Sequence, residues 1–136
     1  MSNVSTGQIT ASNNTTTVIT FDTEAYDTDN FHSTSSNTSR MTIPAGKSGK
    51  YLCTGKFRWF TNTSGVRFMN FSVNGTDVDG TNILPNANNP FQTHTAVLSL
   101  SVGDYVELTA YQTSGSNQDV ALNQGQSKFT ISYLGA

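Results

Sequence analysis

The chain has 136 residues, with 7 Lys or Arg against 9 Asp or Glu, a net charge of -2 and 12% charged residues. That length suits one domain with a single core, and the small acidic excess argues against a nucleic-acid binder, which normally carries a basic surplus. The longest apolar run is only a few residues, too short to span a bilayer as a helix.

Glutamate occurs only at Glu24 and Glu107, while Ser, Thr and Asn make up more than a third of the chain. Such a sequence is poor in surface-helix formers and rich in strand and turn formers.

Residues 1–16 are polar, with Val4 and Ile9 as scattered apolar positions. They predict a polar N-terminal arm with no core of its own, ahead of one domain over 17–136. The opening Met1-Ser2-Asn3-Val4-Ser5 has neither the basic nor the apolar region of a signal peptide. The expectation is therefore synthesis in a cytoplasm without Sec export.

Thr17, Val18, Ile19 and Thr20 before Phe21 form the first strand candidate. An acidic loop with Asp22, Glu24, Asp27 and Asp29 follows, then a short strand candidate at Phe31 and His32 and a polar loop over 33–39. Residues 40–43 alternate and stop at Pro44, and 45–49 have turn composition. The longest candidate is 50–60. It places Tyr51, Cys53, Gly55, Phe57 and Trp59 on one face and Leu52, Thr54, Lys56, Arg58 and Phe60 on the other.

Residues 66–73 alternate again with Met69, Phe71 and Val73 inward, and Asn74-Gly75 signals a hairpin because both residues tolerate positive φ. Residues 76–90 read as loop-rich. A strand over 93–100 turns Ala96, Leu98 and Leu100 inward, and one over 105–112 turns Val106, Leu108 and Ala110 inward. After a polar stretch over 113–126, the last strand over 128–134 aligns Phe129, Ile131 and Tyr133. About eight to ten strands without an amphipathic helix predict an all-β, antiparallel β-sandwich or barrel.

Chemistry-bearing residues are sparse. Cys53 is the only cysteine and falls in an apolar strand pattern, which reads as a buried, inert thiol. His32 and His94 lie outside any nucleophile or metal motif, so no catalytic site, metal site or cofactor is expected. The carboxylates at 22–29, and Asp77 with Asp79, lack the spacing of an EF-hand loop and read as solvated acidic loops.

Lys56 and Arg58, with Arg67 on the neighbouring strand, form a candidate basic patch for an acidic partner or glycan. The stretches 82–92 and 113–126 have the composition of adaptable recognition loops, with Asn86, Asn88, Asn89, Gln92, Asn117 and Gln118 as candidate contacts. Seven Asn-x-Ser/Thr triplets read as unmodified without a secretory signal.

Four motifs in order carry a family resemblance. Ile43-Pro44-Ala45-Gly46-Lys47-Ser48-Gly49-Lys50-Tyr51 resembles the entry into the central strand of the C1q/TNF-like trimeric jelly rolls. Phe71-Ser72-Val73-Asn74-Gly75 resembles that family's strand-to-turn motif. Leu98-Ser99-Leu100-Ser101-Val102-Gly103-Asp104-Tyr105-Val106 and Lys128-Phe129-Thr130-Ile131-Ser132-Tyr133-Leu134 resemble its later strands. Cys53 stands where the family usually has an aromatic residue, and Ile131 where it often has glycine.

The resemblance implies a jelly-roll sandwich and a homotrimer. The candidate core or trimer-interface aromatics are Tyr51, Phe57, Trp59, Phe60, Tyr111, Phe129 and Tyr133, of which Trp59 and Tyr111 would be stacking platforms if exposed. Some members bind calcium. Short domains of this composition resemble phage gene products that look like virion parts. The expected function is thus a non-catalytic virion structural protein, a capsid decoration or fibre or tail accessory, located in the virion and partnered by other virion proteins. The alternative is a receptor- or glycan-binding adhesin using loops at one end of the roll. Neither reading involves nucleic acid or membrane.

Overall fold

The computed structural model describes residues 1, 7–88, 90–123 and 125–136. Among these, ten strands run in chain order: β1 (Gln8–Ala11), β2 (Thr17–Val18), β3 (Arg40–Thr42), β4 (Gly49–Trp59), β5 (Arg67–Val73), β6 (Thr76–Ile83), β7 (Phe91–Leu100), β8 (Tyr105–Gln112), β9 (Gln118–Ala121) and β10 (Lys128–Gly135).

They form two antiparallel five-stranded sheets. In the first, β7 runs along one side of β4, β10 and then β9 share the other side, and β1 lies outside β9. In the second, β5 lies on one side of β8, β2 and β3 share the other, and β6 lies outside β5.

The alternation of β4 is the backbone of the core. Its inward Tyr51, Cys53, Phe57 and Trp59 are fully buried, each large side chain contributing about 1.5–3 kcal/mol of transfer free energy. Phe71 of β5 and Phe129 of β10 stack between the sheets with ring centroids 5.7 Å apart. Gly55 sits inward where a Cβ would lie 2.5 Å from Leu108 Cδ1, so the sheets close only over a glycine there. The β5–β6 hairpin turns on Asn74 and Gly75, at φ of 51° and 84°, as the sequence predicts.

Three expectations are corrected, and the described residues of the 1–16 stretch pack on the sandwich: β1 pairs with β9, Ala11 is fully buried, and the Met1 ammonium donates to the Phe129 carbonyl oxygen at 2.7 Å. Backbone pairing and a few inward side chains suffice for an edge strand even where composition is polar. Residues 2–6 of that arm lie outside the described residues.

The stretch 76–90 contains β6, and 113–126 contains β9. Neither alternates clearly, because β6 is exposed on an open edge and β9 is only four residues long. Phe31 and His32 are buried but not a strand, held by hydrogen bonds from their amides to the Asp27 carboxylate.

Cys53 lies within this core, and burial lifts its thiol to about 12. The thiolate is the reactive species, so Cys53 should react with an aromatic disulfide reagent only as fast as the protein opens. Full reaction within seconds at mildly alkaline pH without denaturant would contradict that burial.

Candidate interaction surface

The largest departure from the sequence reading is a buried polar knot at one end of β4. Arg67, expected in a surface basic patch, is fully buried with its guanidinium 5.4 Å from the Trp59 ring centroid. Its Nη1 donates to the Ser64 carbonyl at 2.9 Å and its Nη2 to Asn62 Oδ1 at 3.0 Å.

Gln92, expected as a loop contact, is a buried β7 residue. Its Oε1 accepts from Trp59 Nε1 at 2.9 Å, while its Nε2 donates to the Arg67 and Thr81 carbonyls at 3.3 and 2.9 Å. A buried indole N–H and main-chain carbonyls beside it need partners, and one amide side chain supplies them. Trp59 is therefore core and no stacking platform. Gln118 is likewise buried on β9, facing Ala11 of β1.

The acidic loop is occupied with its own structure. Glu24 Oε1 is 2.9 Å from His32 Nδ1, whose Nε2 is 2.9 Å from the Thr38 carbonyl oxygen, and Asp29 pairs with Lys47 at 3.2 Å. Burial raises the Asp27 carboxyl, but amides from His32, Phe31, Asp29 and Asn30 outweigh it and hold the group below its ordinary 3.8. No cluster of three or more His, Cys, Asp or Glu able to hold a metal occurs among the described residues.

Asp27 thus gives stability that is complete above the ordinary carboxylate range and is lost as pH falls through its lowered folded value. Asp27→Asn should remove about 1–2 kcal/mol at neutral pH and flatten the loss of stability below about pH 4. Parallel acid denaturation curves for the two proteins would sink this assignment.

The outer face of the first sheet is exposed, and its registers define its chemistry. Across β10, β4 and β7 the first row is Ser132, Leu52, Val97 and the second is Thr130, Thr54, Thr95. The third row is Lys128, Lys56, Thr93, and the fourth is Ala121 of β9, Arg58, Phe91. Leu52 is 37% exposed, Val97 57% and Phe91 49%, and Leu134 is exposed in the bulge at the end of β10. The face thus has an apolar half and a cationic, aromatic half, joined by threonines.

The other expected aromatics divide cleanly. Tyr51, Phe57 and Phe129 are core, while Phe60 and Tyr133 are partly exposed. Tyr111 meets Phe68 edge-on at 5.6 Å on the second sheet. Asn86, Asn88 and Asn117 are exposed in loops, and Asn89 lies outside the described residues. The loop over 60–66 links the two candidate recognition loops. Thr61 Oγ1 donates to the Ala87 carbonyl at 3.5 Å, and the Thr113 amide donates to that of Val66 at 3.2 Å.

Two sheets connected in this order, with apolar inner faces, make a C1q/TNF-like jelly roll. Comparison with protein families finds no match by sequence, and none is found among curated proteins. Among solved structures, the chain is similar to the globular domain of zebrafish complement 1qA protein. The TM-score is 0.56 at 15% identity, over 94% of this chain and 97% of that one. At that identity the likeness is one of fold.

Proposed function

We propose that this is a non-catalytic assembly protein that forms a homotrimer through the outer face of its first sheet and serves as a structural part of a virion. The observation that carries the trimer is the row Leu52–Val97 with exposed Leu134, apolar side chains left uncovered on an otherwise complete sandwich. A contiguous apolar patch on a finished fold favours a partner surface, and a closed cyclic contact buries it without leaving a free copy for fibre growth. The C1q/TNF-like fold supports the same stoichiometry by resemblance.

Light scattering at micromolar concentration should give three times the 14.6 kDa chain mass. A monomer under those conditions overturns the trimer. The virion placement rests on composition and on the resemblance to short phage domains. It predicts capsid or tail genes beside the coding sequence, and a neighbourhood without them removes its support.

A second reading is an adhesin module. The exposed Asn86, Asn88 and Asn117 near the loop over 60–66 favour it, since exposed polar side chains in loops can meet a polar ligand, although Asn86 Oδ1 already accepts from the Asn88 amide at 2.8 Å. A glycan array showing no binding at high micromolar protein counts against it.

A further inference from the structure

Of the seven Lys and Arg side chains, Arg40 and Lys47 have carboxylate partners and Arg67 is buried in the polar knot. The other four, Lys50, Lys56, Arg58 and Lys128, have no ion pair among the described residues. By strand register Lys50, Lys56, Arg58 and Lys128 all fall on the outer face of the first sheet.

Three of them are neighbours. Lys56 and Lys128 are directly opposite on β4 and β10, and Arg58 is the next outward residue of β4. Like charges directly opposite across strands, about 5 Å apart at Cβ, destabilise a sheet. Arg58 Nε is buried without a hydrogen-bond partner. Asp119, on β9 of the same face, is occupied by Gln8 Nε2 and Thr10 Oγ1 at 2.6 and 2.7 Å.

Two exposed rings accompany these charges. Lys56 Nζ lies 5.3 Å from the Phe91 ring centroid, and the Arg58 guanidinium lies 6.0 Å from that of Phe60. Aromatic faces beside unneutralised cations match a sugar ring that carries acid groups, its C–H face against the aromatic ring and its acid group on the cation. An acidic peptide strand fits less well, because β4 already pairs on both sides and has no free backbone beneath the cluster.

We infer that Lys56, Lys128 and Arg58, with Phe91 and Phe60, form a binding site for an acidic oligosaccharide, its uronate or sulfate groups on the cations and its sugar rings against the phenylalanines. The inference narrows the ligand of the adhesin reading and moves it from the loops to the sheet face. It is compatible with self-association through Leu52 and Val97: like-charged rows cannot close on one another, so this half either stays outside the contact or takes up an anion there.

Calorimetric titration with trigalacturonate at low ionic strength tests it. Saturable binding is expected, weakened roughly tenfold or more in Lys56→Gln/Lys128→Gln and in Phe91→Ala, with no detectable binding of maltotriose. No heat with trigalacturonate at millimolar concentration overturns the site, and unchanged affinity in the variants overturns its location. Equal binding of maltotriose overturns the charge requirement. Equal or tighter binding of a hexa-aspartate peptide, or of sodium sulfate alone, overturns the sugar. Thermal melting checks that the variants remain folded. Light scattering on the same samples separates the two ideas, since a monomer that binds keeps the site and removes the trimer, and a trimer that does not bind does the reverse.

Discussion

Replacing Arg67 by alanine is expected to cost about 3–5 kcal/mol, the largest stability loss of any charged residue in the chain. The guanidinium is fully buried and its fork is held by oxygens alone, at Ser64 and Asn62, with longer contacts to the Val66 and Asn62 carbonyls at 3.5 Å. Burial lowers its pKa, which is the desolvation cost expressed on the charge itself.

Truncation would remove the hydrogen bonds that tie the loop at Asn62 and Ser64 to β5 and open a cavity against Trp59. Arg67→Lys should recover little, because one ammonium cannot reach both Ser64 and Asn62 in the geometry of a planar fork. Arg67→Met separates packing from hydrogen bonding: it fills the volume and removes the guanidinium's hydrogen bonds. Urea unfolding followed by circular dichroism gives the values, and a loss below about 1 kcal/mol for alanine would mean that the knot is peripheral to folding.

A second large effect is expected at the surface. If the proposed trimer forms, Leu52→Asp combined with Val97→Asp should turn it into a monomer, raising the dissociation constant roughly a hundredfold or more, while the melting temperature of the subunit stays nearly unchanged. Both residues point away from the core and are substantially exposed, so two carboxylates there meet water in the free subunit. In an apolar contact the same carboxylates would lose that hydration without a partner. Sedimentation velocity reads the mass directly. A trimer that survives both substitutions places the contact elsewhere, with the open edge formed by β6 and β7 the next surface to mutate.

The sequence was most readable where one face is wet and one dry. The alternation of 50–60, 93–100 and 105–112 located β4, β7 and β8 with their inward residues, and Asn74-Gly75 located the hairpin. It failed where burial does not follow hydrophobicity. Gln92, Gln118 and Arg67 are polar letters in polar neighbourhoods, and only the tertiary position of Trp59 explains why two of them are inside.

β6 was invisible because an open edge leaves both its faces exposed, and its Asp77, Asp79 and Gly80 resemble a turn. The cationic half of the surface was legible only in part. Lys56 and Arg58 share a face by simple alternation, but Lys128 joins them through strand register, 72 residues further along from Lys56, which no local pattern encodes.

The side of β4 that receives β9 and β10 has a consequence for how the protein is made. Those partners are residues 118–135, and Met1 and β1 in turn dock on β10 and β9. During vectorial synthesis, β4 through β8 can emerge and pair while that side of β4 stays empty. The early chain must then wait, with Phe57, Trp59 and Phe71 incompletely covered, until the last strands leave the ribosome. Long-range pairing of this kind is slow and exposed to aggregation, so nascent chains stalled with residues 118–135 still inside the exit tunnel should be protease-sensitive and prone to chaperone capture, and chains stalled with residue 135 clear of it should not.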